Sequence, residues 1–111
     1  MYLCAMSQKE FLKYLDNNKN ERLRVRLIIT RGIIASLVYQ YESLINNKWV
    51  AIVRYDTSHG FFHRDFLYPN GKQEKYSIEI ENLRVAASYA EQDIKDRWEY
   101  YKNKYIKKLK K

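Results

Sequence analysis

The sequence predicts an α+β domain: an antiparallel meander of four to five strands, with a short N-terminal helix and a long C-terminal helix packed on one face. Three observations predict it. Between residues 22 and 78, apolar and polar residues alternate, and turn-forming residues break the runs at short intervals. From about Asn82 to Leu109 the apolar period changes to three and four. The chain has 111 residues, 46% of them hydrophobic, which suits one domain over 1–111 with one modest core.

Each element follows from local chemistry. Ser7 to Leu15 reads as a short helix: Ser7 as N-cap, Glu10 completing a capping box, and Phe11, Leu12 and Leu15 on one face. Asp16 to Asn20 is a turn cluster that ends it. A strand follows, with Arg22, Arg24 and Arg26 on one face and Leu23, Val25, Leu27 and Ile29 on the other. Arg31-Gly32 turns or kinks the chain, and Ile33 to Ser43 is a second strand. Asn46-Asn47 is a hairpin turn, because Asn tolerates positive φ. Trp49 to Tyr55 is a third strand, Thr57 to Gly60 a loop, and Phe61 to Tyr68 a fourth strand. Pro69-Asn70-Gly71-Lys72 is a turn before a fifth, Glu74 to Ile78. The final helix carries Leu83, Ala87, Ala90, Ile94, Trp98, Tyr101, Tyr105 and Leu109 on one stripe. At 1.5 Å per residue it is ~40 Å long, so its last two or three turns are expected to project beyond the sheet.

Composition narrows the setting. The net charge is +8, and residues 95–111 hold eight Lys or Arg against two Asp or Glu. The excess charge is therefore mostly a property of the C-terminal helix, which suits a polyanion or an acidic protein partner, or a solvated helix end. No apolar run reaches the ~20 residues of a membrane span. The single Cys4 can form no internal disulfide, carries no assigned role, and fits a cytoplasmic location.

The densest chemistry lies in Arg54 to Asp65. Both histidines, His59 and His63, fall there, flanked by Asp56 and Asp65 and accompanied by Arg54 and Arg64. Three readings follow. In the first, one His deprotonates a ribose 2′-OH and the other protonates the leaving oxygen. Arg54 stabilises the phosphoryl charge, and Asp56 or Asp65 sets a His tautomer. Alternation puts His63 and Asp65 on one face and Arg64 on the other. In the second, His59, His63, Asp65 and Asp56 bind zinc, manganese or iron. That reading ranks lower, because His-x-x-x-His converges only on a helix, and the expectation is no cofactor. In the third, the segment is structural: Asp56 and Thr57 cap the turn, and Asp65 and Arg64 form cross-strand pairs.

The string Arg54-Tyr55-Asp56-Thr57-Ser58-His59-Gly60, then His63-Arg64-Asp65, carries a resemblance. With Val38 to Glu42, Pro69-Asn70-Gly71, Asp93-Ile94, Trp98 and Tyr105, it resembles a family of small archaeal and bacterial proteins without a settled activity, over roughly residues 22–106. The Arg54–Asp65 string alone is also similar to the His/Asp/Arg-rich centre of TumE-type toxins of toxin–antitoxin pairs. That likeness implies a ribonuclease-like, nucleic-acid-directed role.

The expected function is thus nucleic-acid-directed, with Asp56, His59, His63, Asp65 and Arg54 as catalytic candidates. Arg22, Arg24, Arg26, Arg64, Lys104, Lys107 and Lys108 are the nucleic-acid-binding candidates. The expected partners are RNA or a cognate antitoxin-like protein, with no membrane. The alternative is a non-catalytic interaction protein that binds an acidic partner or a second copy of itself.

Overall fold

The computed structural model describes residues 6–110, with the side chain of His59 outside the described set; Cys4 also lies outside it. The elements are β1 (Met6–Tyr14), β2 (Glu21–Thr30), β3 (Ile33–Ile45), β4 (Lys48–Asp56), a 3-10 turn (Ser58–Gly60), β5 (His63–Leu67), β6 (Gln73–Ser77) and α1 (Leu83–Leu109). The strands form one antiparallel six-stranded sheet in sequence order. The α+β architecture with a long C-terminal helix stands as expected.

The expectation fails at the N-terminus. Ser7 to Leu15 is not a helix: Met6–Tyr14 is an edge strand, and every one of its residues pairs with β2. The sheet therefore has six strands rather than four or five. A helix of two turns is marginal on its own, whereas the exposed ladder of β2 offers a full set of backbone partners. Glu10 does not cap anything; its carboxylate accepts from Gln8 and lies 3.5 Å from Arg26 across the strand pair. The Asp16–Asn20 turn is real, but it closes a hairpin. Asp16 Oδ1 accepts from the backbone N–H groups of Asn20 and Glu21.

The tight turns obey their residues. Asn46 and Asn47 both adopt left-handed φ (53° and 64°), as do Arg31 (53°) and Gly32 (77°). These paired values match the twist of two-residue hairpins. Asn82 caps α1 by accepting from the Val85 N–H.

In-register pairing assigns each residue to a face. One face carries Leu23, Val25, Tyr39, Tyr41, Val53, Tyr55 and Phe66, and α1 covers it with Ala86, Ala90, Ile94, Tyr101 and Tyr105. A bulge at Tyr41/Glu42 adds Ile52 as an extra buried residue on β4. Burial on α1 ends at Tyr105, and Leu109 is exposed, so the basic end of the helix reaches past the core. Among the described residues, no helix is long and apolar enough to cross a membrane.

Candidate functional site

The face opposite α1 is polar and ordered by register. Arg24, Gln40, Arg54, Asp65 and Lys75 are successive cross-strand partners from β2 to β6. The neighbouring row runs Arg26, Val38, Asp56, His63 and Ser77. Cross-strand partners share a face, so the hairpin β4–β5 brings Arg54 beside Asp65 and Asp56 beside His63.

His63 is the centre of this arrangement. Its Nε2 lies 2.9 Å from Asp56 Oδ1 and 3.5 Å from Asp65 Oδ2, and its Nδ1 lies 3.2 Å from the Phe61 carbonyl oxygen. The Phe61 ring packs against the imidazole, with centroids 5.1 Å apart. The His63 side chain is only 1% exposed, and Asp56 and Asp65 are buried with it. Asp56 Oδ1 also accepts from the backbone N–H and the hydroxyl of Ser58. Thr57 Oγ1 accepts from the Leu37 N–H and ties the same turn to β3. Lys75 Nζ stands 3.5 Å from Asp65 Oδ1. The backbone of His59 belongs to the 3-10 turn beside this cluster. A cleft of about 810 Å³ borders it, lined by Thr57, Gly60, Phe61, Phe62 and Ser77 among others, but not by Asp56, His63 or Asp65.

Further along the open face, one buried carboxylate gathers the basic residues. Glu42 accepts from Arg22 Nε (2.6 Å), Arg24 Nε (3.1 Å) and Gln40 Nε2 (2.6 Å). Gln40 in turn accepts from Arg54 Nε at 2.8 Å. Burial opposes the charge on Glu42, but the bonds from Arg22, Gln40 and Arg24 outweigh it and hold its carboxyl below the usual range. Arg22 also stacks over Trp49 at 3.8 Å from the ring centroid. Of the three-arginine stripe, two members are therefore engaged with Glu42, and Arg26 faces Glu10.

Arg64 and the candidate lysines lie elsewhere. Arg64 points to the α1 side, where its guanidinium reaches the Tyr101 hydroxyl at 3.5 Å and sits 5.1 Å from the Tyr76 centroid. It belongs to a cleft of about 140 Å³ between β5, β6 and α1. Arg97 there stands 4.9 Å from the Tyr100 centroid, and Lys104 Nζ stands 4.4 Å from the Phe66 centroid and 3.2 Å from Glu74. Tyr76 and Tyr100 are 59% and 55% exposed. The surface continues along α1 over Asn103, Lys107 and Lys108. Sequence reasoning missed Arg97, Tyr76 and Tyr100. Helical spacing was a signal for two of them, since residues 97, 100, 104 and 108 share a face. Tyr76 became visible only through its pairing with Arg64.

Beneath this cleft, Asp93 accepts from Tyr55 (2.6 Å) and Tyr101 (2.5 Å). Burial, the Asp93 hydrogen bond and the Asp93 charge push the Tyr101 hydroxyl up to about 12. Burial and Asp93 also push Tyr55 upward.

Neither curated proteins nor solved structures give a match to this chain. Residues 6–111 match the family described as a domain of unknown function, DUF7718, and the chain belongs to that family.

Proposed function

We propose that the protein binds single-stranded RNA along the basic, aromatic cleft between β5, β6 and the C-terminal half of α1. One observation carries the reading: cations and exposed aromatic rings alternate there, as Arg64 with Tyr76 and Arg97 with Tyr100, while Lys104 packs over the buried Phe66 beside them. Single strands are held by this combination, cations following the phosphates and ring faces stacking on bases. The exposed Lys107 and Lys108 extend the positive surface along the helix. Among the described residues, Glu74 is the one carboxylate lining the cleft, against Arg64, Arg97 and Lys104.

The likeness of the Arg54–Asp65 string to TumE-type toxins supports an RNA partner, and a cognate antitoxin-like protein would then be its natural regulator. Acid–base cleavage by His59 and His63, with Arg54, Asp56 and Asp65 in support, is the finer form of this reading. It would require a movement that exposes the buried His63. Binding requires no such movement.

The test is fluorescence anisotropy of a labelled oligouridylate with the wild type, Tyr100→Ala and Arg97→Ala, and with Arg26→Ala on the opposite face as control. Loss of one stacking side chain is expected to weaken binding roughly 5- to 100-fold, with Arg26→Ala unchanged. A wild type that does not bind sinks the proposal. So does an Arg26→Ala defect as large as that of Arg97→Ala.

A further inference from the structure

We infer that Asp56, His63 and Asp65 form a binding site for one divalent transition-metal ion, on the sheet face opposite the proposed RNA cleft and independent of it. The argument begins with the imidazole tautomer. The Phe61 carbonyl oxygen, which can only accept, lies 3.2 Å from Nδ1 and suits the tautomer with its proton on Nδ1. In the neutral ring Nε2 is then a lone-pair donor aimed between two carboxylate oxygens. Three electron-rich atoms converge, all within 4.8 Å of one another, and all three residues are buried. Lys75 Nζ, 3.5 Å from Asp65 Oδ1, offsets part of the carboxylate charge, and a cation between the three atoms would offset more of it.

The spacing suits a metal ion as that cation. Ligands ~2.1 Å from one ion stand ~3.0 Å apart at a right angle and ~3.4 Å apart at the tetrahedral angle. The separations from Nε2 are 2.9 and 3.5 Å. Each ligand residue is also held by a further contact, as metal ligands are, Asp56 through the same Oδ1 that faces Nε2. The Phe61 carbonyl holds the ring, Ser58 donates twice to Asp56 Oδ1, and Lys75 lies beside the far oxygen of Asp65. One imidazole nitrogen and two carboxylate oxygens suit Zn²⁺ or Mn²⁺; Ca²⁺ prefers six to eight oxygens. The two carboxylates and a dication balance in charge. The competing occupant is a proton on Nε2, which would make His63 an imidazolium between two aspartates.

The experiment uses the full chain, stripped with EDTA and titrated with ZnCl₂ and MnCl₂ by calorimetry, with thermal unfolding followed in parallel. The expected result is one equivalent bound and a Tm that rises with metal concentration. Asp65→Asn and Asp56→Asn, both nearly isosteric, are expected to weaken binding at least tenfold while far-UV circular dichroism is unchanged. Should neither variant fold, the Co²⁺ form of the wild type decides through its visible absorption, which must show the d–d bands of nitrogen and oxygen ligation. No binding at millimolar metal overturns the inference in favour of the proton. One equivalent that persists in both variants, or a Co²⁺ form without those bands, overturns it as well.

Discussion

On the helix-covered face, the row Phe11, Val25, Tyr39, Tyr55, Arg64 and Tyr76 crosses all six strands; one residue along, on the open face, runs Leu12, Arg24, Gln40, Arg54, Asp65 and Lys75. The covered row is mostly aromatic and apolar, and its polar tips are gathered by a carboxylate from the helix, as Tyr55 is by Asp93. The open row is mostly charged or amide, and its neighbours supply the counter-charges, as Glu42 does for Arg22 and Arg24. The contrast teaches that both faces bury carboxylates, each satisfied differently. The buried Glu21 and the partly buried Asp93 meet tyrosine hydroxyls and cations of α1, namely Lys102 and Arg97. Glu42 meets arginines and an amide of the sheet itself. Asp56 and Asp65 meet an imidazole.

The largest effect is expected where the covered face depends on shape. Ile94 is fully buried against the sheet, so Ile94→Ala is expected to cost about 2–5 kcal/mol by urea unfolding, through lost burial and a cavity. A cost under about 1 kcal/mol, within the range of surface substitutions, would mean that the helix is loosely seated.

The open face should break through charge. Glu42→Gln keeps the volume but removes the anion from Arg22 and Arg24, and is expected to cost about 1–3 kcal/mol at neutral pH. Its pH dependence has a definite sign. The folded carboxyl lies below its ordinary value of 4.5, so its stabilisation is complete above 4.5 and is lost as pH falls through the folded value. The stability gap between wild type and Glu42→Gln should therefore narrow in acid. A gap that stays constant to low pH would show that Glu42 acts by packing alone.

The smallest effect is expected at Tyr101. Tyr101→Phe removes one of the two hydroxyls on Asp93 and is expected to cost about 1 kcal/mol. The sign is opposite to that of Glu42. The folded hydroxyl is raised from 10.0 to about 12, so its contribution is complete below pH 10 and is lost as pH rises through about 12. Chemical denaturation between neutral pH and pH 11 should show the two proteins converging. Divergence there would place the hydroxyl outside the Asp93 network.

Much of this was legible in single residues. Asn46-Asn47 and Pro69 to Lys72 announced their turns, and the change of apolar period near Asn82 announced the helix. The shared face of His63 and Asp65, with Arg64 turned away, follows from alternation alone. Less legible was the partner of each. Asp56 meets His63 because six residues separate the two in a hairpin whose register the loop sets, and nothing in the composition of residues 57–62 specifies that register. The Ser7 and Glu10 pattern misled, because a capping box describes a helix only where no neighbouring strand competes for the backbone.

By itself, then, the sequence determined the alternation of β2 to β6, the turns between them, and the approximate span and basic end of α1. These rest on the steric and hydrogen-bonding preferences of residues close in the chain. Only the tertiary structure decided that Met6–Tyr14 is a strand, that Arg64, Arg97 and Lys104 meet Tyr76, Tyr100 and Phe66 in one cleft, and that two aspartates close on His63. Each of these depends on backbone pairing or packing between segments whose local preferences leave the partner unspecified.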